Sequence, residues 1–280
     1  MKKILITGAN SYIGTSFEQW LEQWPNMYTV DTIDMRDDNW KEKVFSQYDV
    51  VFHVAGIAHI KEKKENRDIY YRVNRDLAYE VTKKAKSEGV KQYVFLSSMS
   101  VYGMNTGIIT KDITPAPKSN YGKSKLQAEE LIMPLEDDCF KISIVRPPMV
   151  YGKGCKGNYA KLAKSAISIP AFPDINNKRS MIFIDFLCDF IKQLIDDQSR
   201  GLFFPQNDEY VCTSEMVSLI AEAHGKKLFM TKLFNPLLHL LKIDIVQKIF
   251  GDLVYEKSMS DYSDRHQVYN LEMTIRLTEK

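Results

Sequence analysis

Short β-rich runs and helical patterns alternate through the first half of the chain. The β-rich runs fall at residues 3–7, 28–33, 50–54, 92–97 and 142–145. Between them, helical patterns fit residues 12–22, 68–87 and 121–133. Strands that alternate with helices predict a parallel sheet with crossover helices, that is, a doubly wound α/β fold. The gap between the second and third runs is short, so either the sheet lacks a strand there or residues 35–37 provide it.

After Gly152 the alternation of β-rich runs and helical patterns gives way to a region rich in basic residues. Between residues 141 and 180 there are eight Lys or Arg residues and one acidic residue, Asp174. Such a stretch is either a solvated basic face or a cleft for an anionic ligand. A strand at residues 181–184 and a helix at 185–196 follow and could return to the sheet. We predict a parallel-sheet domain over residues 1–150, with 181–197 added to it, and a smaller mixed α/β region over 151–280.

Composition is that of an ordinary globular protein and argues against several classes. The chain has 280 residues, 44% of them hydrophobic and 26% charged, and a net charge of +2 that gives no general nucleic-acid signature. The four cysteines are scattered without paired or metal-ligand spacing, which predicts reduced thiols in a cytoplasmic protein and no metal site. The amino-terminal apolar run is too short for a signal peptide. Lys232, Pro236, Lys242, Asp244 and Lys248 interrupt the apolar stretch 228–250, so we expect an amphipathic helix pair rather than a membrane span.

A glycine-containing loop joins the first predicted strand to the first helix. Its sequence is Thr7-Gly8-Ala9-Asn10-Ser11-Tyr12-Ile13-Gly14. Gly8 permits a tight turn, and Gly14 permits close packing of the helix on the strand. The amino terminus of the helix offers free N–H groups and positive potential. Together these features predict a site for the pyrophosphate of a dinucleotide.

An acidic residue near the end of the second predicted strand bears on the choice of dinucleotide. Asp34 follows Gly14 by about 20 residues, where a carboxylate can bond the adenosine ribose and repel a 2′-phosphate, which favours NAD. Arg36 stands two residues further on and could bind that phosphate, so NADP is the alternative. Asp31 replaces Asp34 as the candidate if the strand ends earlier.

A tyrosine and a lysine four residues apart carry the candidate chemistry. Tyr121 and Lys125 lie at the start of a predicted helix, so they share one face of it, one turn apart. We expect the ammonium of Lys125 to lower the pKa of Tyr121, and Ser98 to hold the same substrate oxygen. Beside a hydride carrier these groups form a general acid/base for alcohol–ketone interconversion.

These motifs resemble, through almost the whole chain, the extended short-chain dehydrogenase/reductase family, in its nucleotide-sugar epimerase and dehydratase branch of the UDP-glucose 4-epimerase kind. The glycine loop is similar to the Thr-Gly-x-x-Gly-x-x-Gly motif of that family, with Ser11 in place of the middle glycine. His53-Val54-Ala55-Gly56 is similar to the stretch that passes the adenosine side of the cofactor. Asn74 resembles the helix asparagine that supports the active-site strand.

Two further segments resemble the strands that bear on the reaction. Residues 96–103 are similar to the strand that carries the catalytic serine, with Ser98 at that position, Ser100 as a supporting hydroxyl and Ser97 as the alternative register. Residues 146–152 resemble the segment that passes the nicotinamide. The resemblance implies the following cofactor-binding residues: Gly8, Asn10, Ser11, Tyr12, Ile13, Gly14, Asp34, Arg36, Ala55, Gly56, Asn74, Ser97, Tyr121, Lys125 and Pro147.

The resemblance also implies a nucleotide-diphosphate sugar as substrate. Asn158 is similar to a hydrogen-bond donor in the loop that contacts the diphosphate, and Arg179 to the arginine that binds it. Met149 stands where many epimerases of the family carry asparagine. The substrate-binding residues implied are Ser98, Ser100, Tyr121, Met149, Asn158 and Arg179, so residues 1–150 become the NAD-binding Rossmann domain and 151–280 the nucleotide-sugar-binding region.

Three functions follow from the resemblance. The favoured one is an NAD-dependent 4-epimerase of a UDP-hexose or UDP-N-acetylhexosamine that acts through a 4-keto intermediate. The first alternative is an NAD(P)H-dependent reductase of a 4-keto nucleotide sugar in surface-polysaccharide synthesis. The remote alternative is a non-catalytic nucleotide-binding sensor, against which the intact Ser98, Tyr121 and Lys125 argue. Members of the family often dimerise through helices, and the predicted helices at 68–87 and 121–133 could serve for a homodimer.

Overall fold

The described residues fall into two compact units. The structure, a computed structural model, describes residues 1–58, 62, 64–233, 235–240, 243–262 and 267–280. The first unit comprises Met1–Gly103, Thr114–Pro147 and Leu187–Pro205. The second unit comprises Met104–Ile113, Pro148–Phe186 and Gln206–Lys280.

Strands and helices alternate along the first part of the chain, as the pattern predicts. The strands are β1 (Lys2–Thr7), β2 (Tyr28–Ile33), β3 (Val50–His53), β4 (Gln92–Leu96), β5 (Gly107–Ile109), β6 (Lys141–Val145), β7 (Met149–Tyr151), β8 (Ala171–Pro173), β9 (Met181–Phe183), β10 (Gly201–Phe203), β11 (Phe229–Thr231) and β12 (Leu253–Tyr255). The helices are α1 (Tyr12–Leu21), α2 (Arg67–Tyr71), α3 (Leu77–Ser87), α4 (Asn120–Ile132), α5 (Asn158–Ser168), α6 (Ile184–Asp196), α7 (Thr213–Ala223), α8 (Asn235–Leu240), α9 (Asp244–Phe250) and α10 (Leu271–Glu279).

Within the described residues, the first unit is built on a six-stranded parallel sheet. Its strand order is β10-β6-β4-β3-β1-β2. The register sets Ile4 of β1 opposite Val50 of β3, and Leu96 of β4 opposite Val145 of β6. Because every pairing is parallel, the carboxyl ends of β1, β3, β4 and β6 meet at one edge of the sheet. That edge is where ligands bind in doubly wound folds.

The residues in the short gap between β2 and β3 do not add a strand to the sheet. Strand β2 is the last strand in the sheet order, and residues 35–37 form no strand beside it. A short 3₁₀ turn, Asp38–Lys41, follows, capped by the carboxylate of Asp37. The sheet therefore lacks a strand there, and residues 35–37 do not substitute for it.

One predicted strand joins a different sheet. Strand β9 forms where a returning strand is predicted, but it pairs with β7, Met149 opposite Met181. The strand that joins the main sheet is β10, which sets Gly201 opposite Ser143 of β6. A parallel neighbour needs a crossover connection, and α6 provides one directly before β10. The predicted strand at 181–184 therefore does not return to the main sheet, and residues from Leu187 onward belong to the first unit.

The long helix predicted at residues 68–87 is interrupted in its winding. It consists of α2, five residues of π-helix at Arg72–Asp76, and α3. π-Helical turns inside α-helices are rare and frequently mark functional sites. Asn74 lies in this segment and is fully buried.

One apolar core lies on a face of the main sheet. Side chains from β1, β3, β4 and β6 pack there with those of α3 and α4 and with the segment that leads into β3. Its buried members include Leu5, Trp40, Phe45, Tyr48, Val51, Ala78, Val81, Ala85, Tyr93, Phe95, Ala128, Ile132, Phe140 and Ile144. This core fixes the position of α4 against the strand ends.

The second unit is a mixed arrangement of short parallel strand pairs and helices. Strands β7 and β9, β8 and β11, and β5 and β12 pair with each other. The predicted helix pair at residues 228–250 corresponds to α8 and α9; Lys242 lies outside the described residues. Across the described ranges, no helix is long and apolar enough to cross a membrane.

Candidate active site

The glycine loop after β1 has the geometry that a dinucleotide requires. Gly8 has φ +91°, in the left-handed region, and a side chain there would put its Cβ 2.9 Å from the Cα of Ala55. At Gly14 a Cβ would lie 3.0 Å from Val54 and 3.2 Å from Ile6. Both positions therefore need glycine, one for its conformation and the close passage of two strand ends, the other for packing of α1 on β1 and β3.

Ser11 is the amino-terminal cap of α1. Its φ of −74° suits any residue, so the absence of the usual glycine causes no backbone strain. The Ser11 hydroxyl accepts a hydrogen bond from the Gly14 N–H at 3.3 Å. The serine thus satisfies one of the free helix N–H groups that a pyrophosphate would otherwise contact. Asn10, the residue before it, takes a left-handed conformation with φ 64°, and Tyr12 and Ile13 form the first turn of α1.

Asp34 and Arg36 lie beside the glycine loop. The N–H groups of Gly8 and Ala9 donate to the carbonyl of Ile33, 2.9 and 3.0 Å away, and Asp34 follows that residue directly. The Asp34 carboxylate accepts hydrogen bonds from the backbone N–H and the side chain of Arg36. This pairing lowers the pKa of Asp34 to about 2. The carboxylate is therefore ionised at neutral pH, next to the loop that is expected to hold the pyrophosphate.

Asp31, the alternative acidic candidate, has other partners. Its carboxylate accepts a hydrogen bond from the Tyr48 hydroxyl and lies 3.5 Å from the Lys43 ammonium. It belongs to the middle of β2 rather than to the end of the strand. The geometry therefore favours Asp34 over Asp31 as the group beside the glycine loop.

His53, at the end of β3, was not expected to matter. Its ring is fully buried, and Nδ1 lies 2.9 Å from the Thr7 hydroxyl at the end of β1. Burial and the neighbouring Lys125 lower the pKa of His53 to about 3, so the ring is neutral. A neutral ring links the two strand ends without adding a second positive charge next to Lys125.

The start of α4 brings the candidate catalytic groups together. Ser119 caps the helix by accepting a hydrogen bond from the Gly122 N–H at 3.1 Å. A Cβ on Gly122 would lie 2.5 Å from the carbonyl oxygen of Ser100, so the helix packs directly on the segment that carries Ser98. The Ser98 hydroxyl lies near enough to the phenol of Tyr121 to lower its pKa in part. Gly122 was not predicted as part of the site, but only a residue without a side chain allows this approach.

Lys125 is buried and makes a specific backbone contact. Its Nζ donates to the carbonyl of Leu96 at 2.8 Å and lies 4.6 Å from the ring centroid of Phe95. Burial lowers the pKa of Lys125 to about 8, an effect that the carboxylate of Glu129 partly offsets. A Cβ added to Gly56 would lie 3.3 Å from this ammonium, so Gly56 lines the same space.

The pKa of Tyr121 shifts in the direction opposite to the one predicted from the neighbouring Lys125. Burial raises the pKa of the phenol, and the nearby Ser98 hydroxyl lowers it only in part. The Lys125 ammonium donates to the carbonyl of Leu96. Tyr121 is therefore protonated at neutral pH.

Asn74 joins the loop after β3 to α4. Its side-chain oxygen accepts a hydrogen bond from the Ile57 N–H at 2.8 Å, and its amide donates to the Ile57 carbonyl and the Ser124 hydroxyl, each at 3.1 Å. The π-helical segment places Asn74 at this junction. It therefore holds the loop after β3, next to Gly56, against α4.

Of the two serines considered, Ser98 is the one whose hydroxyl affects the pKa of Tyr121. Ser98 also caps the following 3₁₀ turn, where it accepts from the N–H of Ser100 at 3.1 Å. Ser97 is buried and donates its hydroxyl to the carboxylate of Glu129. The Ser97 side chain thus belongs to the packing beneath the site, and its predicted role as a cofactor ligand is not what this geometry favours.

Sequence reasoning missed a buried ion pair behind these residues. The Glu129 carboxylate lies against the guanidinium of Arg146, and their side chains are 1% and 6% exposed. Glu129 follows Lys125 by one helical turn on the same face of α4, a spacing that could have identified it. Pro147, next to Arg146, is buried, and its carbonyl accepts from the N–H of Met99 at 2.9 Å.

The remaining predicted substrate-binding residues belong to the second unit. Met149 opens β7, and Asn158 is the exposed first residue of α5. Arg179 donates from Nη1 to the carbonyls of Gly251 and Asn105, at 3.0 and 3.4 Å. Burial lowers the pKa of Arg179, although a guanidinium stays charged at any physiological pH.

The residues at the carboxyl edge of the main sheet fit a nicotinamide dinucleotide. Gly8 and Gly14 leave room where any side chain would collide, and α1 begins at that point. Ser98, Tyr121 and Lys125 are the candidates for acid/base chemistry on an alcohol or ketone. This combination defines a dinucleotide-dependent enzyme of the doubly wound class. The chain belongs to the NAD dependent epimerase/dehydratase family, whose model matches residues 4–202.

Named relatives and solved structures agree with that assignment. A UDP-glucose 4-epimerase from Vibrio cholerae is 30% identical over 285 residues, which cover 90% of this chain and 86% of the relative. An N-acetyl-alpha-D-glucosaminyl-diphospho-ditrans,octacis-undecaprenol 4-epimerase from Escherichia coli O157:H7 is 26% identical, with coverage of 89% and 81%. The crystal structure of a UDP-glucuronic acid 4-epimerase from Bacillus cereus in complex with NAD has a TM-score of 0.77 at 19% identity, with coverage of 99% and 95%.

These findings confirm the predicted family, the doubly wound fold, NAD as cofactor and an enzyme that is a nucleotide-sugar epimerase or oxidoreductase. The individual site residues stay predictions that rest on the geometry described above.

Proposed function

We propose that the protein is an NAD-dependent 4-epimerase of a UDP-hexose or UDP-N-acetylhexosamine. The observation that carries this proposal is the buried Lys125 one turn along α4 from Tyr121, with the Ser98 hydroxyl near enough to that phenol to lower its pKa. That arrangement handles the proton of a sugar hydroxyl. The choice of epimerisation is supported by the Vibrio cholerae relative, which is named a UDP-glucose 4-epimerase.

Tyr121 and Ser98 act on the same oxygen of the sugar. Ser98 orients the C4 hydroxyl, and Tyr121 takes its proton in one half of the reaction and returns it in the other. NAD, when bound, would supply the hydride acceptor and donor for C4. Burial raises the pKa of Tyr121, so its phenol holds a proton at neutral pH, as the half of the reaction that returns a proton to the 4-keto oxygen requires.

We propose Asn158 and Arg179 as the residues that bind the diphosphate of the substrate. Arg179 carries a permanent charge and a planar set of donors that suits a pyrophosphate. Asn158, at the first turn of α5, adds an amide donor next to free helix N–H groups. A firm hold on the diphosphate with a loose hold on the sugar would let the 4-keto sugar turn over within the site.

The identity of residue 149 supports a second candidate function. Met149 stands where many epimerases of the resembling branch carry asparagine, and its thioether offers no comparable hydrogen-bonding handle. A reductase of a 4-keto nucleotide sugar would use the same Ser98, Tyr121 and Lys125 but would consume NADH or NADPH.

The experiment that tests the proposal is incubation of the purified protein with a panel of UDP-sugars, with and without NAD(H) or NADP(H), followed by NMR of the products. An epimerase forms the C4 epimer without net change of absorbance at 340 nm. A reductase shows net loss of that absorbance. Tyr121→Phe should lose roughly 10²- to 10⁴-fold in turnover and still bind NAD. Tyr79→Phe, which removes a phenol from α3 instead, is the matched control.

A homodimer stays a prediction. We propose α3 and α4 as the helices of its interface, and sedimentation velocity at several protein concentrations tests whether the chain is dimeric.

A further inference from the structure

A single buried carboxylate contacts every segment that carries the candidate catalytic groups in the first unit. Glu129 is 1% exposed. It accepts hydrogen bonds from Arg146 Nε, at 3.1 Å to Oε1 and 3.2 Å to Oε2, and from Arg146 Nη2. The Glu129 carboxylate also accepts a hydrogen bond from the Ser97 hydroxyl. No other carboxylate of the described residues joins α4 to both strand ends.

The partners of Glu129 extend the network to two more segments. Arg146 donates from Nη1 to the Tyr102 hydroxyl at 2.9 Å, which fixes the 3₁₀ turn that Ser98 caps. The backbone N–H of Arg146 donates to the carbonyl of Phe203 at 2.8 Å in β10. The network therefore runs from α4 to the ends of β4 and β6 and to the turn between Ser98 and Tyr102.

Stability alone is a poor reason for this pair. Removing two charges from water costs about as much as their attraction returns, and apolar replacements of similar volume are often neutral or stabilising. A pair of this kind instead fixes the relative position of the segments it joins, because its hydrogen bonds form in only one arrangement of those segments. Here those groups are the carriers of Ser98, Tyr121 and Lys125.

The distances show how the position of Ser98 is set. Lys125 bonds the carbonyl of Leu96 at 2.8 Å, and Glu129, one turn further on, bonds the side chain of Ser97. The last residue of β4 and the residue that follows it are thus tied to two consecutive turns of α4. Ser98 is the next residue, and Tyr121 lies one turn before Lys125. A shift of α4 along β4 would break both bonds and move Tyr121 relative to Ser98.

We infer that Glu129 is a positioning residue, which holds Ser98 against Tyr121 by joining α4 to the ends of β4 and β6 through Ser97 and Arg146. Its carboxylate also lies close enough to Lys125 to favour the ammonium form. The inference rests on the proposed function for its activity measurement, but two further measurements do not need turnover.

Glu129→Gln is the principal variant, because it keeps the size of the side chain and removes its charge. Ser97→Ala is the second variant; it deletes one hydroxyl and leaves the ion pair intact. Glu130→Gln, an exposed neighbour on the same helix, is the matched control. For each protein we would measure kcat and KM, NADH affinity by fluorescence, and the titration of Lys125 by NMR of protein labelled with ¹³C at the lysine Cε.

Glu129→Gln should lower kcat by about 100-fold, as expected for misplacement of reacting groups by about 1 Å, with little change in the KM of the nucleotide sugar. Its Lys125 should titrate below the pH of about 8 expected for the parent. Ser97→Ala should lower kcat by a smaller factor without moving the titration. Glu130→Gln should match the parent in every measurement.

A folded Glu129→Gln variant with parental kcat and parental Lys125 titration would overturn the inference. If that variant does not fold, Ser97→Ala decides: an unchanged kcat there also overturns it. If the parent turns over no UDP-sugar, the proposed function fails separately. The Lys125 titration then still tests the link to Glu129, which a shift would support and identical titrations would refute.

Discussion

Two ion pairs of the first unit have the same chemistry and opposite surroundings. Asp34 and Arg36, next to the glycine loop, are 35% and 84% exposed, whereas Glu129 and Arg146 are 1% and 6% exposed. Water and salt screen the first pair, so a ligand can separate its members at little cost. The second pair is out of water, and the groups around it belong to the same buried network. The exposed pair is therefore suited to recognising a ligand, and the buried pair to fixing the groups that react.

The largest expected effect is on the free energy of unfolding, which should depend on the buried ion pair and not on the exposed one. Arg146→Met leaves the buried Glu129 charge without its guanidinium partner, which should lower the free energy of unfolding by about 3–5 kcal/mol. Arg36→Met removes an arginine from the exposed pair and should leave the urea midpoint unchanged within error. Urea denaturation at pH 7 measures both.

A double variant sharpens that comparison. Glu129→Leu combined with Arg146→Met replaces both charges by apolar groups and should recover most of the lost stability. A cost below about 1 kcal/mol for Arg146→Met alone would show that Glu129 finds another partner, and the contrast between the pairs would fail.

The second prediction concerns Lys125, which contacts the buried side of the site. Its pKa is about 8 in the folded protein and 10.5 in the unfolded chain. Between these pH values the unfolded chain binds more protons than the folded one. The free energy of unfolding should therefore rise with pH over that window, by about 3 kcal/mol in total. Below pH 8 the full penalty of the buried charge is present.

Matched variants isolate this contribution from the other lysines. Lys125→Met should remove the rise, while Lys123→Met, at an exposed position on the same helix, should keep it. Unfolding curves at pH 7, 8, 9 and 10 measure the difference. Parallel pH profiles for Lys125→Met and the parent would mean that Lys125 is not desolvated as the structure indicates.

The contrast between the pairs also marks what the sequence could predict. The glycine loop, Asp34, Tyr121 and Lys125 were found because their chemistry depends on local spacing along one strand or one helix. The Glu129–Arg146 pair depends on which strand end meets α4, and nothing local specifies that. The same holds for β9, a three-residue strand whose partner β7 cannot be read from its own residues.

Two other features, the π-helical segment and the pKa of Tyr121, depend on contacts between segments that are distant in the sequence. The π-helical winding at Arg72–Asp76 has no distinctive composition, and Asn74 within it bonds Ile57 and Ser124, residues distant in the sequence. The direction of the Tyr121 pKa depends on burial and on the carbonyl of Leu96, which takes the ammonium of Lys125. Sequence spacing placed the two side chains correctly, but their charges are set by atoms from another strand.

The smallest effect should come from the exposed pair and appear in cofactor choice rather than in stability. Asp34→Asn removes the carboxylate that accepts bonds from Arg36. The guanidinium is then free to meet a 2′-phosphate, and the repulsion of that phosphate is lost. The affinity for NADPH relative to NADH should rise by roughly tenfold, equal to about 1.4 kcal/mol. Asp38→Asn, an exposed carboxylate on the next 3₁₀ turn, removes the same charge and should leave the ratio unchanged. Fluorescence titration with both reduced dinucleotides measures the ratio, and equal ratios for Asp34→Asn and the parent would place the adenosine ribose away from Asp34.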